Sequence, residues 1–163
     1  MSSLPPFQRF LDEHADDVLR FLVASVGRHD ADDAFQETFL SALGAYERLR
    51  PGPNLRGWVM TIAHRKALDV HRGRARDPVP VAELDPRAGA RVAGDGGAQG
   101  DHWERVRALP PRQRAVLTLR HAGDLTYAEI ATLLRSSEDA ARRAAADGLK
   151  SLRKELPDVP ATT

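Results

Sequence analysis

From Asp30 to Leu43 the chain reads D-A-D-D-A-F-Q-E-T-F-L-S-A-L. Asp30, Asp32 and Asp33 crowd the start of this segment, and an apolar set follows at Phe35, Phe39, Ala42 and Leu43. The three- and four-residue spacing of that set is the repeat of one helix face. A helix built on it sends its apolar side into a core and turns Asp33, Gln36 and Glu37 outward. The segment therefore sets an acidic, amphipathic helix near the head of the chain.

Its surroundings are helical too. Upstream, Phe10, Leu11, Val18, Leu19, Phe21, Leu22 and Val26 mark an amphipathic stretch that Gly27 ends. Downstream, the acidic helix runs to about Arg48, and Pro51-Gly52-Pro53 breaks the chain because proline removes a donor and restricts its predecessor. Asn54 then caps a helix with Leu55, Trp58, Val59, Ile62 and Ala63 as its buried stripe, expected to reach Val70 or His71. Trp58 reads as core because it lies on that stripe.

Residues 77–100 change character. Pro78, Pro80 and Pro86 lead into a glycine-rich run with few large apolar side chains, which cannot offset the entropy of ordering it. A flexible linker is expected there, and a second helical block from His102 to about Leu156. In that block Pro110-Pro111 open a helix carrying Val116, Leu117 and Leu119, which Gly123 closes. Thr126 and Glu129 form a T-x-x-E capping box before the apolar face of Tyr127, Ile130, Ala131, Leu133 and Leu134. After the turn Arg135-Ser136-Ser137, Ser137 caps a last helix whose Glu138 and Asp139 suit its dipole. A short helix, a tight turn and a longer helix make a helix-turn-helix, and Arg142 and Arg143 lie one turn into the element that would enter a DNA groove. Spacing alone also allows a plain helical hairpin with surface arginines.

Composition narrows the function classes. The 163 residues are 42% hydrophobic, 29% charged and only 6% aromatic, so the cores lean on Leu, Val and Ala. Without cysteine there is neither disulfide nor thiolate metal site. No apolar run approaches the roughly 18 residues of a membrane helix, and no leader pattern precedes Phe7. A soluble, cytoplasmic protein without membrane insertion is expected. The net charge of +1 hides segregation: residues 1–50 carry 5 basic and 9 acidic side chains, residues 51–76 carry 6 and 1. Adjacent acidic and basic blocks suit two partners, the basic one attracting phosphate; charge alone equally allows two solvated faces. Catalysis is not expected. Asp30, Asp32 and Asp33 lack the glycine and distant glutamate of a calcium loop, and His64 and His71, seven apart, lack a third ligand. No G-x-S-x-G, phosphate-cradling loop or H-E-x-x-H occurs, and no cofactor or metal is expected.

Three segments carry a family resemblance. Asp33 to Phe39 gives D-x-x-Q-E-T-F, Trp58 to Asp69 gives W-V-M-T-I-A-H-R-K-A-L-D, and Leu109 to Leu134 gives L-P-P-R-Q-R-A-V-L-T-L-R-H-A-G-D-L-T-Y-A-E-I-A-T-L-L. Together and in this order they resemble extracytoplasmic-function (ECF) sigma factors of RNA polymerase over about residues 7–76 and 101–156. The resemblance implies an all-α chain of two small domains: a helical bundle over 5–76 and a helix-turn-helix domain over 101–157, joined by the flexible linker over 77–100. It implies a partner in core RNA polymerase, met through Asp33, Gln36 and Glu37. It implies promoter DNA at two places. Arg56, His64, Arg65, Lys66, Arg72 and Arg74 would face the opened minus-ten strand, and Ser137, Arg142 and Arg143 the minus-thirty-five element. An anti-sigma protein is the further partner implied. A sigma-like DNA-binding regulator that does not itself direct initiation is the alternative.

Departures from the family pattern carry expectations of their own. Arg65 stands where Asn is common, which implies a changed minus-ten preference. Arg135 stands where the turn usually holds glycine; a left-handed residue there costs about 1 kcal/mol. Ala140, Ala141, Ala144 and Asp147 thin out the recognition helix, and Gly148 inside it costs about 1 kcal/mol relative to alanine.

Overall fold

The computed structural model describes residues 4–50, 54–76 and 97–154. Every regular element among them is helical, as expected. The order is α1 (Phe7–Val26), α2 (Arg28–Tyr46), α3 (Leu55–Arg76), α4 (Gly97–Arg107), α5 (Pro111–Leu117), a π-turn (Thr118–Ala122), α6 (Tyr127–Leu134) and α7 (Glu138–Lys154). The proline break at 51–53 and most of the linker expected over 77–100 lie outside the described residues. At the linker's end, α4 starts at Gly97, ahead of His102, through the good helix formers Ala98 and Gln99.

Helices α1, α2 and α3 pack on one another. A single residue joins the first two. Gly27 has φ +85°, donates to the Val23 carbonyl at 2.9 Å and offers its own carbonyl to Ala31 at 3.1 Å. A side chain at that φ would be strained, so glycine ends one helix and begins the next. Asn54 caps α3, its Oδ1 accepting from Gly57 N at 3.1 Å. α3 runs on to Arg76, past the expected end at Val70 or His71 and through Gly73, which weakens a helix without stopping it.

The few aromatic residues are not spread thinly; they gather here. Phe10 is fully buried, with the rings of His14, Tyr46, Phe7, Trp58 and Phe39 between 5.1 and 6.2 Å from its own. Offset and tilted contacts of this kind add to the area each ring buries. Tyr46 also donates its hydroxyl to the Pro5 carbonyl, tying the start of the chain to the end of α2.

Two expected faces need correction. On α2 the buried stripe is Ala31, Ala34, Thr38, Phe39, Ala42 and Tyr46. Leu43, assigned to the core from spacing, is 51% exposed, and Leu40 is 67% exposed. Small residues let α2 sit close to its neighbours, so its large aliphatics are left on the outside. On α3 the buried set is Val59, Met60, Ala63, His64 and Ala67, while Leu55, Trp58 and Ile62 are only half-buried.

The second half has an aliphatic core: Val106, Leu109, Val116, Leu117, Leu119, Leu125 and Ile130 against Ala141, Ala144 and Ala145. The helix opened by Pro111 does not run straight to Gly123. Buried Thr118 turns its hydroxyl back onto the Arg114 and Ala115 carbonyls at 2.9 and 3.1 Å. From there the ladder widens into the π-turn closed by Gly123 N to Thr118 O at 2.9 Å. Asp124 follows with φ +54°, a conformation Asp tolerates better than most.

Both caps of the second half form as expected. Thr126 Oγ1 accepts from Glu129 N, and Ser137 Oγ from Ala140 N, each at 3.1 Å. Arg135 is left-handed, with φ 54° and ψ 50°. Arg135→Gly is therefore expected to raise the chain's stability by about 1 kcal/mol, read as a later denaturation midpoint; an unchanged or earlier midpoint would show that the arginine side chain compensates. Gly148 is not simply a weak helix residue. A Cβ there would lie 2.8 Å from Leu117 Cδ1 and 3.4 Å from Gln113 Cβ, so glycine lets α7 close on α5.

Candidate polymerase and nucleic-acid interfaces

Asp33, Gln36 and Glu37 are all exposed on α2. Leu40 and Leu43 continue the same face one and two turns on, at four- and seven-residue spacings from Gln36. The result is a polar and anionic rim around an uncovered aliphatic stripe. Sequence reasoning missed Leu40 and misplaced Leu43. The signal that identifies them is the small-residue register of Ala31, Ala34, Thr38 and Ala42, which claims the opposite side. Solvated aliphatics in a row, rimmed by charge, are the usual surface of a docking site.

This stripe adjoins a basic cleft. Lys66 on α3 pairs with Glu37 across the two helices at 3.9 Å. Beside it a cleft of about 530 Å³ is lined by Ser41, Ala45, Trp58, Ile62, Arg65, Lys66, Leu68, Asp69 and Arg72. Arg65, Lys66 and Arg72 supply three cations against one carboxylate, and half-buried Trp58 forms part of the wall. A cationic groove with an aromatic residue in its wall has the chemistry for a single strand: charge for the backbone and a π system for a base. Trp58 is thus core on one side, 5.7 Å from Phe10 between ring centres, and cleft wall on the other.

The remaining members of the expected set lie elsewhere. Arg56 turns toward the second half of the chain: it donates to the Gly123 and Asp124 carbonyls and pairs with Asp17 at 3.6 Å and with the Asp124 carboxylate at 3.8 Å. Arg74 donates to the Val26 carbonyl at 2.6 Å and pairs with Asp30. His64 is only 9% exposed. Burial, with help from Arg65 and Arg114, pushes its pKa down to about 4, so it is neutral at physiological pH. Of the six residues, the structure brings three together in one accessible cleft.

In the helix-turn-helix, Arg142 and Arg143 are exposed near the start of α7. Arg142 pairs with Glu138 at 3.3 Å and stacks over Tyr127 at 5.3 Å, a ring that Arg120 also covers at 4.9 Å. Ser137 spends its hydroxyl on the cap. Ala141 and Ala144 face the core, so the alanines that thin out this helix in sequence include two that belong to packing rather than to the outer face. Among the described residues no group of three His, Cys, Asp or Glu could hold a metal ion, and no helix is long and apolar enough to cross a membrane.

Residues 10–77 match the family model of sigma-70 region 2, and residues 103–152 that of sigma-70 region 4. The ECF RNA polymerase sigma factor SigE of Mycolicibacterium smegmatis is 29% identical over 144 residues, covering 82% of this chain. The chain spans only 54% of that relative's length. The ECF RNA polymerase sigma factor SigD of Mycobacterium tuberculosis is 31% identical over 151 residues, covering 85% of this chain and 71% of its own. The solved sigma factor RpoE of Bartonella quintana, in complex with the anti-sigma factor NepR, shares the fold with a TM-score of 0.70 at 21% identity, over 93% of this chain and 98% of that one. With both sigma-70 regions matched in chain order and a relative above 30% identity aligned along most of its length, the chain belongs to the family of ECF RNA polymerase sigma factors.

Proposed function

We propose that this chain binds core RNA polymerase and directs it to specific promoters, acting by binding and not by catalysis of its own. One observation carries the reading: the rimmed aliphatic stripe of α2 and the basic, Trp-walled cleft of α3 lie side by side, bridged by the Glu37–Lys66 pair. A protein docked on Leu40, Leu43, Asp33, Gln36 and Glu37 would hold an opened DNA strand against Arg65, Lys66 and Arg72. In this reading residues 5–76 bind polymerase and melt the minus-ten element. Residues 101–157 engage the minus-thirty-five element through Arg142 and Arg143, and residues 77–100 tether the two. The solved relative in complex with an anti-sigma factor supports a similar inhibitory partner here, and a cytoplasmic setting follows from the proposed partners.

Titrating labelled chain with purified bacterial core polymerase is expected to give a saturable one-to-one complex; none at any salt concentration would remove the proposal. Lys66→Ala combined with Arg72→Ala is expected to cut open-complex formation roughly tenfold. It should also lower the salt slope of promoter binding by about 1.4, the value for two lost single-strand phosphate contacts. An unchanged slope would mean that neither cation meets the backbone.

A further inference from the structure

Arg142 is held from two sides, by the first residue of α6 and by the first residue of α7. Its guanidinium lies 5.3 Å from the ring centre of Tyr127, and its Nη1 pairs with Glu138 Oε2 at 3.3 Å. The ring has supports of its own. Tyr127 packs against the core, and Arg120 of the π-turn covers it at 4.9 Å while donating to the Leu125 carbonyl at 3.0 Å. A column of Arg120, Tyr127, Arg142 and Glu138 thus runs from the π-turn to the head of α7. Arg143, one residue on, is different: it is exposed and makes no hydrogen bond, ion pair or ring contact with a described residue.

This arrangement weakens Arg142 as a plain charge, because the Glu138 carboxylate offsets its attraction for phosphate. It suits recognition that depends on direction. Guanine presents N7 and O6 side by side in the major groove, and a guanidinium meets them with two parallel N–H groups. With Nη1 engaged by Glu138, the Nε–Nη2 edge remains as a two-donor fork, and it has no hydrogen-bond partner among the described residues. Adenine places a donor amine where guanine has O6, so a fork held in place rejects it. Holding the side chain before DNA arrives also removes rotamer freedom that binding would otherwise have to remove. The position agrees. Arg142 is the fifth residue of α7, and the N-terminal residues of a recognition helix lie nearest the bases.

We propose that Tyr127 and Glu138 are positioning residues that make Arg142 a reader of guanine in the minus-thirty-five element, while Arg143 meets the phosphate backbone. The inference rests on the proposed promoter-binding role of α7. Glu138, an anion set toward phosphate, lowers the overall attraction for DNA; what it adds is discrimination.

Holoenzyme assembled from purified core polymerase and the full chain, offered promoter fragments with a randomised upstream block, reports affinity and base preference together once the bound fragments are sequenced. The parent is expected to favour guanine at one position by about five- to a hundredfold, and Arg142→Ala to flatten that position alone. Tyr127→Leu keeps apolar bulk without the π face and should reduce the preference about two- to fivefold, whereas Tyr127→Phe should keep it. Glu138→Gln should reduce it about twofold while raising affinity for every sequence, two opposite changes that a purely structural role does not produce. Arg143→Ala should weaken all sequences alike and lower the salt slope by about 0.9. A guanine preference unmoved by both Tyr127→Leu and Glu138→Gln would overturn the positioning roles. If Arg142→Ala instead weakens all sequences alike, with the salt slope falling by about 0.9, Arg142 is a phosphate contact and the base reading is overturned. A parent with no upstream preference that still initiates from its downstream element would overturn the promoter-reading role of α7 itself.

Discussion

Phe10→Ala is expected to lower the chain's stability by about 3–5 kcal/mol, the range for removing a fully buried aromatic ring. The site leaves little room for collapse. Phe10 stands at the junction of α1, α2 and α3, and the rings of Phe7, His14, Phe39, Tyr46 and Trp58 all contact it. Removing the ring deletes the transfer free energy of the side chain and leaves a cavity walled by aromatic groups that cannot close over it. A domain of this size has only about 5–15 kcal/mol in total, so the loss removes a large share of its stability. Urea denaturation of parent and variant, with near-ultraviolet circular dichroism as the probe of ring packing, measures the effect. A loss below about 1 kcal/mol would mean that the aromatic cluster is not the organising core of the first half.

The second large effect is on assembly. Asp33→Lys with Glu37→Lys is expected to weaken binding to core polymerase by between about tenfold and a hundredfold, equivalent to roughly 1.4–2.7 kcal/mol. Both side chains are exposed, and neither contributes to the buried stripe of α2, so the helical signal and denaturation midpoint should stay near those of the parent. Glu37→Lys also breaks the pair with Lys66 and sets two cations facing each other, which directs the test at the junction of the two proposed surfaces. Leu40→Ser probes the same face without changing charge and should weaken binding in the same direction. Unchanged affinity in both variants would remove α2 from the polymerase interface.

Much of the architecture was legible in the chain, because local chemistry dictates it. Gly27 ends α1, Asn54, Thr126 and Ser137 cap the helices that follow them, and Arg135 takes the left-handed turn position. Each of those depends on one residue and its immediate neighbours. The misreadings share a different cause. Phe35, Phe39, Ala42 and Leu43 suggested one face of α2, but alanine and threonine define the true core side, and hydrophobicity alone does not distinguish a packed alanine from a solvated leucine. The π-turn over Thr118–Ala122 takes the place of the last α-helical turn before Gly123, which periodicity does not register. The resemblance puts His64, Arg56 and Arg74 in the DNA-facing set and carries no information on their tertiary contacts. They are enclosed or engaged because of what the rest of the chain brings against them: Arg114, the Gly123–Asp124 carbonyls and the end of α1. Arg65, Lys66 and Arg72 share a cleft with Trp58 because they lie together on α3, and Ser41 and Ala45 of α2 complete its lining.

Runoff transcription with purified bacterial core polymerase, on genomic fragments from the host, tests the central claim most directly. With this chain added, discrete transcripts starting at defined positions are expected from a small subset of fragments, and none from core enzyme alone. A chain that joins core polymerase or DNA yet yields no start site on any fragment would contradict initiation and leave a DNA-binding regulator in its place.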